Sequence, residues 1–199
     1  MLRKIGMLAV AAMLMGAGCR MQSAEPEAML EAVIAAAQRD EPTLLGESTI
    51  LMNDLLIYRQ EMRLDGASLT ILPGGAQQAH GRSQGEAALW IGWDGLREAA
   101  EEVVQEAAVD EPGAVVLRVR LDGQAAKRTV VHYLEGQFNR VRERATGIRP
   151  VSADVEAYIA EQEANLRNVL DTLQADTVYR LYADRRTSAL RRLDVQTRL

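Results

Sequence analysis

The chain has 199 residues, of which 48% are apolar and 4% aromatic, and its formal net charge is −5 at pH 7. A chain of this length and apolar content can bury a core and fold as one domain, with or without extensions. The acidic balance and the scarcity of aromatic side chains exclude the usual basis of nucleic-acid binding, which is a basic surface with rings for base stacking.

The N-terminus has the pattern of an export signal. A short cationic segment, MLRK, precedes the apolar run IGMLAVAAMLM, and Gly-Ala-Gly then leads to Cys19, the single cysteine. The run is shorter than the roughly 20 residues that a transmembrane helix needs. Ala17 and Gly18 before the cysteine resemble the lipobox of bacterial lipoproteins, although Gly16 stands where that family usually has leucine. The resemblance implies cleavage after residue 18 and lipidation of Cys19.

The lipoprotein resemblance also implies a location. Membrane lipid is then a partner through Cys19, and the protein belongs to the bacterial cell envelope. Arg20 replaces the aspartate that retains many such proteins at the inner membrane, so we expect the periplasmic face of the outer membrane. The alternative is an ordinary signal peptide cut after Ala24, which would discard Cys19. We predict a signal peptide (1–18), a lipidated tether (19–25), an N-terminal helical arm (26–66), an α/β core (67–151) and a C-terminal helical arm (152–199).

Two helices are predicted in the N-terminal arm. Pro26 suits a first helical turn, an apolar stripe runs from Met29 to Ala37, and the sequence Asp-Glu-Pro ends it. Ser48 is predicted to cap a second helix that ends at Gly66. Its apolar residues recur at spacings of four, three and four: Leu51, Leu55, Tyr58 and Met62.

The core is predicted to follow the order β-α-β-α-β. In chain order, its elements are a strand over 68–72, a flexible glycine-rich loop over 73–86, a strand over 87–91, a helix over 96–108 capped by Asp94, a strand over 114–121, a helix through Val131 and Ala145 that stops at Gly147, and a last strand over 148–151. Such a pattern favours an open sheet covered by helices. We therefore predict an α+β or α/β fold that is helix-rich overall.

The C-terminal arm is predicted to contain a long helix capped by Ser152 and then a basic helix. The apolar residues of the long helix have near-heptad spacing interrupted by Gln162, which would allow an oligomer. The last stretch, Thr177–Leu199, holds six arginines and two aspartates. Arg185, Arg186, Arg191 and Arg192 are therefore candidate contacts for an envelope protein or for peptidoglycan, and the alternative is a solvated helix face.

One motif points to catalysis. GRSQG, residues 81–85, matches the G-x-S-x-G turn of serine hydrolases, and Asp122 and His132 follow Ser83 in the order acid, histidine. The segment before it, PGGAQQAH, is polar where that turn needs a buried strand, so a linker is the alternative. The chain has two histidines and one cysteine, which favours neither a metal site nor a cofactor.

Trp90 and Trp93 lie in WIGWDG at a predicted strand-to-helix junction. Two large rings there could form a partner-binding edge, and the alternative is that they pack in the core.

The run from Ala114 to Val151 resembles the periplasmic domain of the ExbD and TolR family. The strand ending at Asp122, the paired valines Val130-Val131 and the Gly147-Ile148 exit stand in matching places, but the family's transmembrane helix is missing. The resemblance implies a binding role in the envelope. We therefore predict a membrane-anchored, non-enzymatic binding or structural component. The alternatives are a small serine hydrolase using Ser83 and a carrier of an apolar ligand.

Overall fold

The computed structural model describes residues 25–66, 68–72, 89–107, 113–147 and 152–199. Within these ranges the chain forms four helices and seven strands. In chain order they are α1 (Pro26–Asp40), β1 (Thr43–Met52), β2 (Leu55–Asp65), β3 (Ser68–Ile71), α2 (Gly92–Ala99), β4 (Ala100–Glu106), β5 (Ala114–Leu121), α3 (Gly123–Thr146), α4 (Ala153–Thr172), β6 (Asp176–Asp184) and β7 (Leu190–Arg198). The fold is α+β, and with seven strands it is not clearly helix-rich.

All seven strands belong to one sheet in the order β3-β2-β1-β7-β6-β5-β4. Neighbouring strands are antiparallel except β1 and β7, which are parallel. The last strand of the chain therefore lies in the middle of the sheet, beside the first. The predicted β-α-β-α-β core and its two helical arms are wrong, because strands from both predicted arms complete this single sheet.

One face of the sheet carries the hydrophobic core. Alternate residues of the central strands point into it, and Tyr179, Leu181, Leu193 and Val195 are all nearly fully buried there. Helix α1 adds a buried stripe that includes Val33 and Ile34, and α2 and α3 contribute further members of the same cluster. The opposite face of the same strands carries charged side chains, so the two faces are chemically distinct.

Several predicted elements are confirmed. Helix α1 begins at Pro26, and Glu41 adopts a left-handed conformation after its last turn. Strands β3 and β5 fall where the sequence predicts them. Helix α3 stops at Gly147 and Ser152 caps α4, both as predicted. The cap of α3 was not predicted: Asp122 accepts hydrogen bonds there from the backbone of Gln124 and Ala125. The predicted 73–86 loop and the strand over 148–151 lie outside the described residues, as do Ala87 and Ala88 of the strand predicted over 87–91.

The second helix predicted in the N-terminal arm is wrong, because residues 43–65 form the β1–β2 hairpin. Asn53 and Asp54 both have positive φ, at 50° and 61°, as a two-residue turn between twisted strands requires. A spacing of four residues, as between Tyr58 and Met62, places side chains on one face of a strand as well as on one face of a helix. Ser48, the predicted cap, points from β1 towards the core and is buried.

The helix predicted over 96–108 is also wrong over most of its length. Helix α2 ends at Ala99 and residues 100–106 form the edge strand β4. Alanine and glutamate favour helices, but pairing with β5 overrides that local preference. Asp94 lies in the first turn of α2 instead of capping it. Residues 89–91 of the predicted 87–91 strand are not in a strand.

The basic C-terminal helix is wrong as well, because β6 and β7 form a hairpin there. Burial alternates at every residue of β6, with Thr177, Tyr179, Leu181 and Ala183 inside. Arg180, Arg192 and Arg198 occupy outward positions of these strands, and together with Arg185 and Arg186 of the turn they mask this period of two.

Candidate partner-binding surface

The candidate functional surface is the sheet face opposite the core. We call it the charged face and define it by outward residues of five neighbouring strands: Glu102 and Glu106 on β4, Arg118 and Arg120 on β5, Arg180 on β6, Asp194, Gln196 and Arg198 on β7, and Glu47 on β1. The four arginine side chains remain 27% to 58% exposed. Period-two alternation aims all of these side chains to one side.

Glutamates of the edge strand hold three of the arginines in place. Arg118 and Arg180 are direct cross-strand neighbours, an arrangement in which like charges repel. Glu106 bridges them, with its two carboxylate oxygens 3.1 Å from Arg118 Nε and 3.4 Å from Arg180 Nε. Glu102 in the same way lies 3.4 Å from Arg118 and 3.2 Å from Arg120.

The charge pattern continues across the parallel junction. Asp194 accepts hydrogen bonds from the backbone N–H of Glu47 at 3.0 Å and from Arg192 Nε at 2.9 Å. Glu47 in turn accepts a hydrogen bond of 2.7 Å from Arg59 on β2. Positive and negative groups therefore alternate in fixed positions from β4 to β2.

The network leaves a shallow cavity of about 140 Å³ near one end of the charged face. Its lining is mostly polar: Arg118, Arg120, Asp176, Val178, Arg180, Gln196 and Arg198. Hydrogen bonding to Glu102 and the charge of Glu101 raise the pKa of Arg120 above its already high value, so this guanidinium stays charged. The cavity offers fixed hydrogen-bond donors for carboxylate, carbonyl or amide groups of a partner and is smaller than ordinary ligand pockets.

A second cavity of about 290 Å³ lies between α1 and α2. Ala37, Ile91 and Trp93 form apolar parts of its wall, and Gln38, Glu41 and Asp94 form polar parts. Its wall is therefore mixed, with apolar side chains beside the carboxylates of Glu41 and Asp94.

Of the four predicted arginine contacts, two lie in the β6–β7 turn and two at the start of β7. Arg185 and Arg186 are exposed in the turn, whereas Arg191 and Arg192 form ion pairs with Asp184 and Asp194. Backbone hydrogen bonds from Arg186 and Thr187, together with the Arg191 side chain, lower the pKa of Asp184 to about 2.

The two tryptophans pack on the core side. Trp93 is 4% exposed, and the rings of Trp90 and Trp93 meet edge to face with centroids 4.7 Å apart. Trp90 also lies 5.9 Å from the ring of Tyr179, whose hydroxyl donates to the carbonyl of Leu89. Burial raises the pKa of Tyr179. Both tryptophans therefore pack on the core, as in the alternative to a partner-binding edge.

The proposed catalytic residues are not brought together where the structure describes them. Asp122 and His132 lie on the same helix ten residues apart, a separation of about 15 Å along its axis. Asp122 is occupied as the helix cap, and His132 is exposed. Ser83 and Cys19 lie outside the described residues. In the described ranges, no cluster of His, Cys, Asp or Glu has the geometry to hold a metal ion.

Within the same described ranges, every helix is too short or too polar to cross a membrane. Comparison of the chain with protein-family models, with curated proteins and with solved structures finds no match.

The arginines of the charged face were not among the residues predicted from the sequence. The signal that could have found them is the alternation in AVVLRVRL, where Arg118 and Arg120 occupy every second position of a strand. The outward positions of β6 and β7 could not be recognised in this way, because the sequence predicts a helix there.

Proposed function

We propose that the protein is a lipid-anchored, non-enzymatic binding component of the bacterial cell envelope, and that the charged face binds a protein partner there. The observation that carries the proposal is the bridging of Arg118 and Arg180 by Glu106, which fixes two exposed guanidinium groups side by side. Fixed donors of this kind lose little conformational freedom when a partner binds.

The anchor and the location rest on the sequence. The cationic segment, the apolar run and the small residues before Cys19 support export and lipidation, and Arg20 supports the periplasmic face of the outer membrane. The proposed organisation is then a short tether followed by one α+β domain.

Binding is favoured over catalysis by the chemistry of the described surface. The arginines and carboxylates of the charged face pair with one another, and the pKa of Arg120 is shifted away from neutrality. Alternating fixed charges instead give specificity for a surface with the complementary pattern.

Site-specific photo-crosslinking in cells tests the partner. A photo-reactive residue at Gln196 of the charged face should give a defined protein adduct, and the same residue at exposed Glu156 of α4 should not. Arg180→Gln removes one charge of the bridged pair and should weaken the adduct, whereas Arg128→Gln on the exposed surface of α3 should leave it unchanged. Equal adducts from both positions would contradict the proposal, and muropeptide adducts would identify peptidoglycan instead.

The anchor has its own test. Mass spectrometry of the N-terminal peptide should find a diacylglyceryl group on Cys19, and the Cys19→Ala variant should leave the membrane fraction. An unmodified N-terminus beginning after Ala24 would establish the ordinary signal peptide.

A further inference from the structure

The turn of the β1–β2 hairpin carries large apolar side chains that point into solvent. Met52, Leu55, Leu56 and Ile57 are 47%, 68%, 56% and 59% exposed. We call these four residues the apolar tip. Three of them are consecutive and Met52 is the cross-strand partner of Leu55, so the four cluster at one turn, whereas exposed hydrophobic residues are usually scattered singly.

The backbone holds the apolar tip in a defined shape. Asn53 and Asp54 form the two-residue turn, and Ile57 is an extra residue in the pairing, because Ile50 pairs with Tyr58 and Leu51 pairs with Leu56. Such a bulge increases local twist and redirects side chains.

The apolar tip lies at the same end of the sheet as the start of α1. We call this the hairpin end, where β1, β5 and β7 finish and β2, β4 and β6 begin. Helix α2 leads directly into the start of β4, so it runs towards the hairpin end. Helix α1 runs antiparallel to α2, since Gln38 contacts Asp94 while Glu31 pairs with Arg97. Its first residue, Pro26, therefore lies towards the hairpin end.

The length of chain before α1 connects this end to the proposed anchor. Glu25 lies six positions after Cys19, and an extended chain of six residues spans at most about 21 Å. A lipid on Cys19 would hold the hairpin end close to the membrane surface. Arg198 lies beside the apolar tip, with its Nε 3.9 Å from the carboxylate of Asp54 in the turn, and a basic side chain at this place suits anionic headgroups.

We propose that the apolar tip inserts into the lipid surface to which Cys19 anchors the chain, so that the protein has two membrane contacts. The inference rests on the proposed function for the anchor and adds an orientation. The hairpin end faces the bilayer, and the β6–β7 turn with Arg185 and Arg186 points away from it. Insertion of a few apolar side chains to the depth of the headgroups is typical of peripheral membrane contacts.

The test uses the full chain and two matched cysteine variants. Leu55→Cys lies in the apolar tip, and Leu45→Cys lies near the far end of the same hairpin, where the leucine is 63% exposed. Each is labelled with an environment-sensitive fluorophore and placed on vesicles of phosphatidylethanolamine and phosphatidylglycerol that contain nitroxide-labelled acyl chains. We expect a blue shift and quenching for the probe at 55 and neither for the probe at 45.

The unsubstituted chain separates the two proposals. If Cys19 is lipidated it has no thiol and takes up no label, whereas labelling of the unsubstituted chain would refute the anchor.

The vesicle assay is then run in a Cys19→Ser background, where quenching of the probe at 55 would still support insertion. An unquenched probe at 55 on vesicle-bound protein would overturn insertion and leave the anchor intact. A blue shift that appears without vesicles and grows with protein concentration would show that a second copy covers the apolar tip, which also overturns it.

Discussion

Replacing Gly46 with alanine should destabilise the parallel junction between β1 and β7. Gly46 lies in β1 directly beside Leu193 of β7, at the parallel junction. A Cβ atom added to Gly46 would lie well inside van der Waals contact with the carbonyl oxygen of Leu193 and 2.9 Å from its carbonyl carbon. Because both neighbours are backbone atoms, no change of side-chain rotamer can relieve the clash.

The cost follows from what must move. Overpacking in a tight site typically costs about 1–3 kcal/mol, and each hydrogen bond lost from the β1–β7 ladder adds about 1 kcal/mol. The paired segment runs from Gly46 to Leu51, so a local displacement affects several bonds. We therefore expect Gly46→Ala to lower the free energy of unfolding by about 3 kcal/mol or more, a large part of the roughly 5–15 kcal/mol of an ordinary domain.

Urea denaturation followed by tryptophan fluorescence measures this change, because Trp93 is buried in the core. Gly136→Ala is the matched control. Gly136 lies inside α3 with open space where the alanine methyl group would lie, so this substitution should stabilise the protein by about 1 kcal/mol through helix propensity. A Gly46→Ala variant within about 0.5 kcal/mol of the wild type would refute the close approach of β1 to β7.

Three further substitutions test the charged face, the β6–β7 turn and the start of α3. Glu106→Gln leaves Arg118 and Arg180 side by side without their bridge and should cost about 1 kcal/mol, less at high salt, in urea denaturation at two ionic strengths. The lowered pKa of Asp184 contributes stability above about pH 4 that is lost as the pH falls towards 2, so Asp184→Asn should flatten the acid limb of the melting temperature against pH. An unchanged acid limb would contradict this assignment. Asp122→Ala removes the cap of α3 and should cost about 1 kcal/mol, whereas an unaffected midpoint would show that the cap contributes little.

The sequence predicts well those elements whose apolar spacing fits only one structure. In α1, Met29, Leu30, Val33 and Ile34 mix spacings of one, three and four, which only a helix places on one face. In β5 the run of valine and leucine, with arginine at alternate later positions, fits a strand. Both predictions are confirmed.

The predictions fail where spacing is ambiguous or where distant pairing decides. Tyr58 and Met62 share a face in either a helix or a strand, and the turn at Asn53-Asp54 lacks the glycine that usually marks a hairpin. Residues 100–106 have a helical composition and become a strand only by pairing with β5. The charged face was not predicted because it also depends on distant pairing. Its side chains become neighbours only when β4, β5, β6 and β7 pair in register.

The central position of the last strand has a consequence for folding. Strand β7 pairs with β6 and with β1, so Leu51 meets Arg198 across almost the whole described chain. Contacts of such long sequence separation form slowly, because loop closure must precede them. A chain that ends after residue 189 lacks the strand that joins β1–β3 to β4–β6 and exposes the core side of both parts. We expect this truncated chain to lose its cooperative urea transition and its amide protection, whereas Arg198→Gln should retain both. A cooperative transition in the truncated chain would show that one part of the sheet is stable alone. Assembly of the described sheet must therefore await residues 190–198.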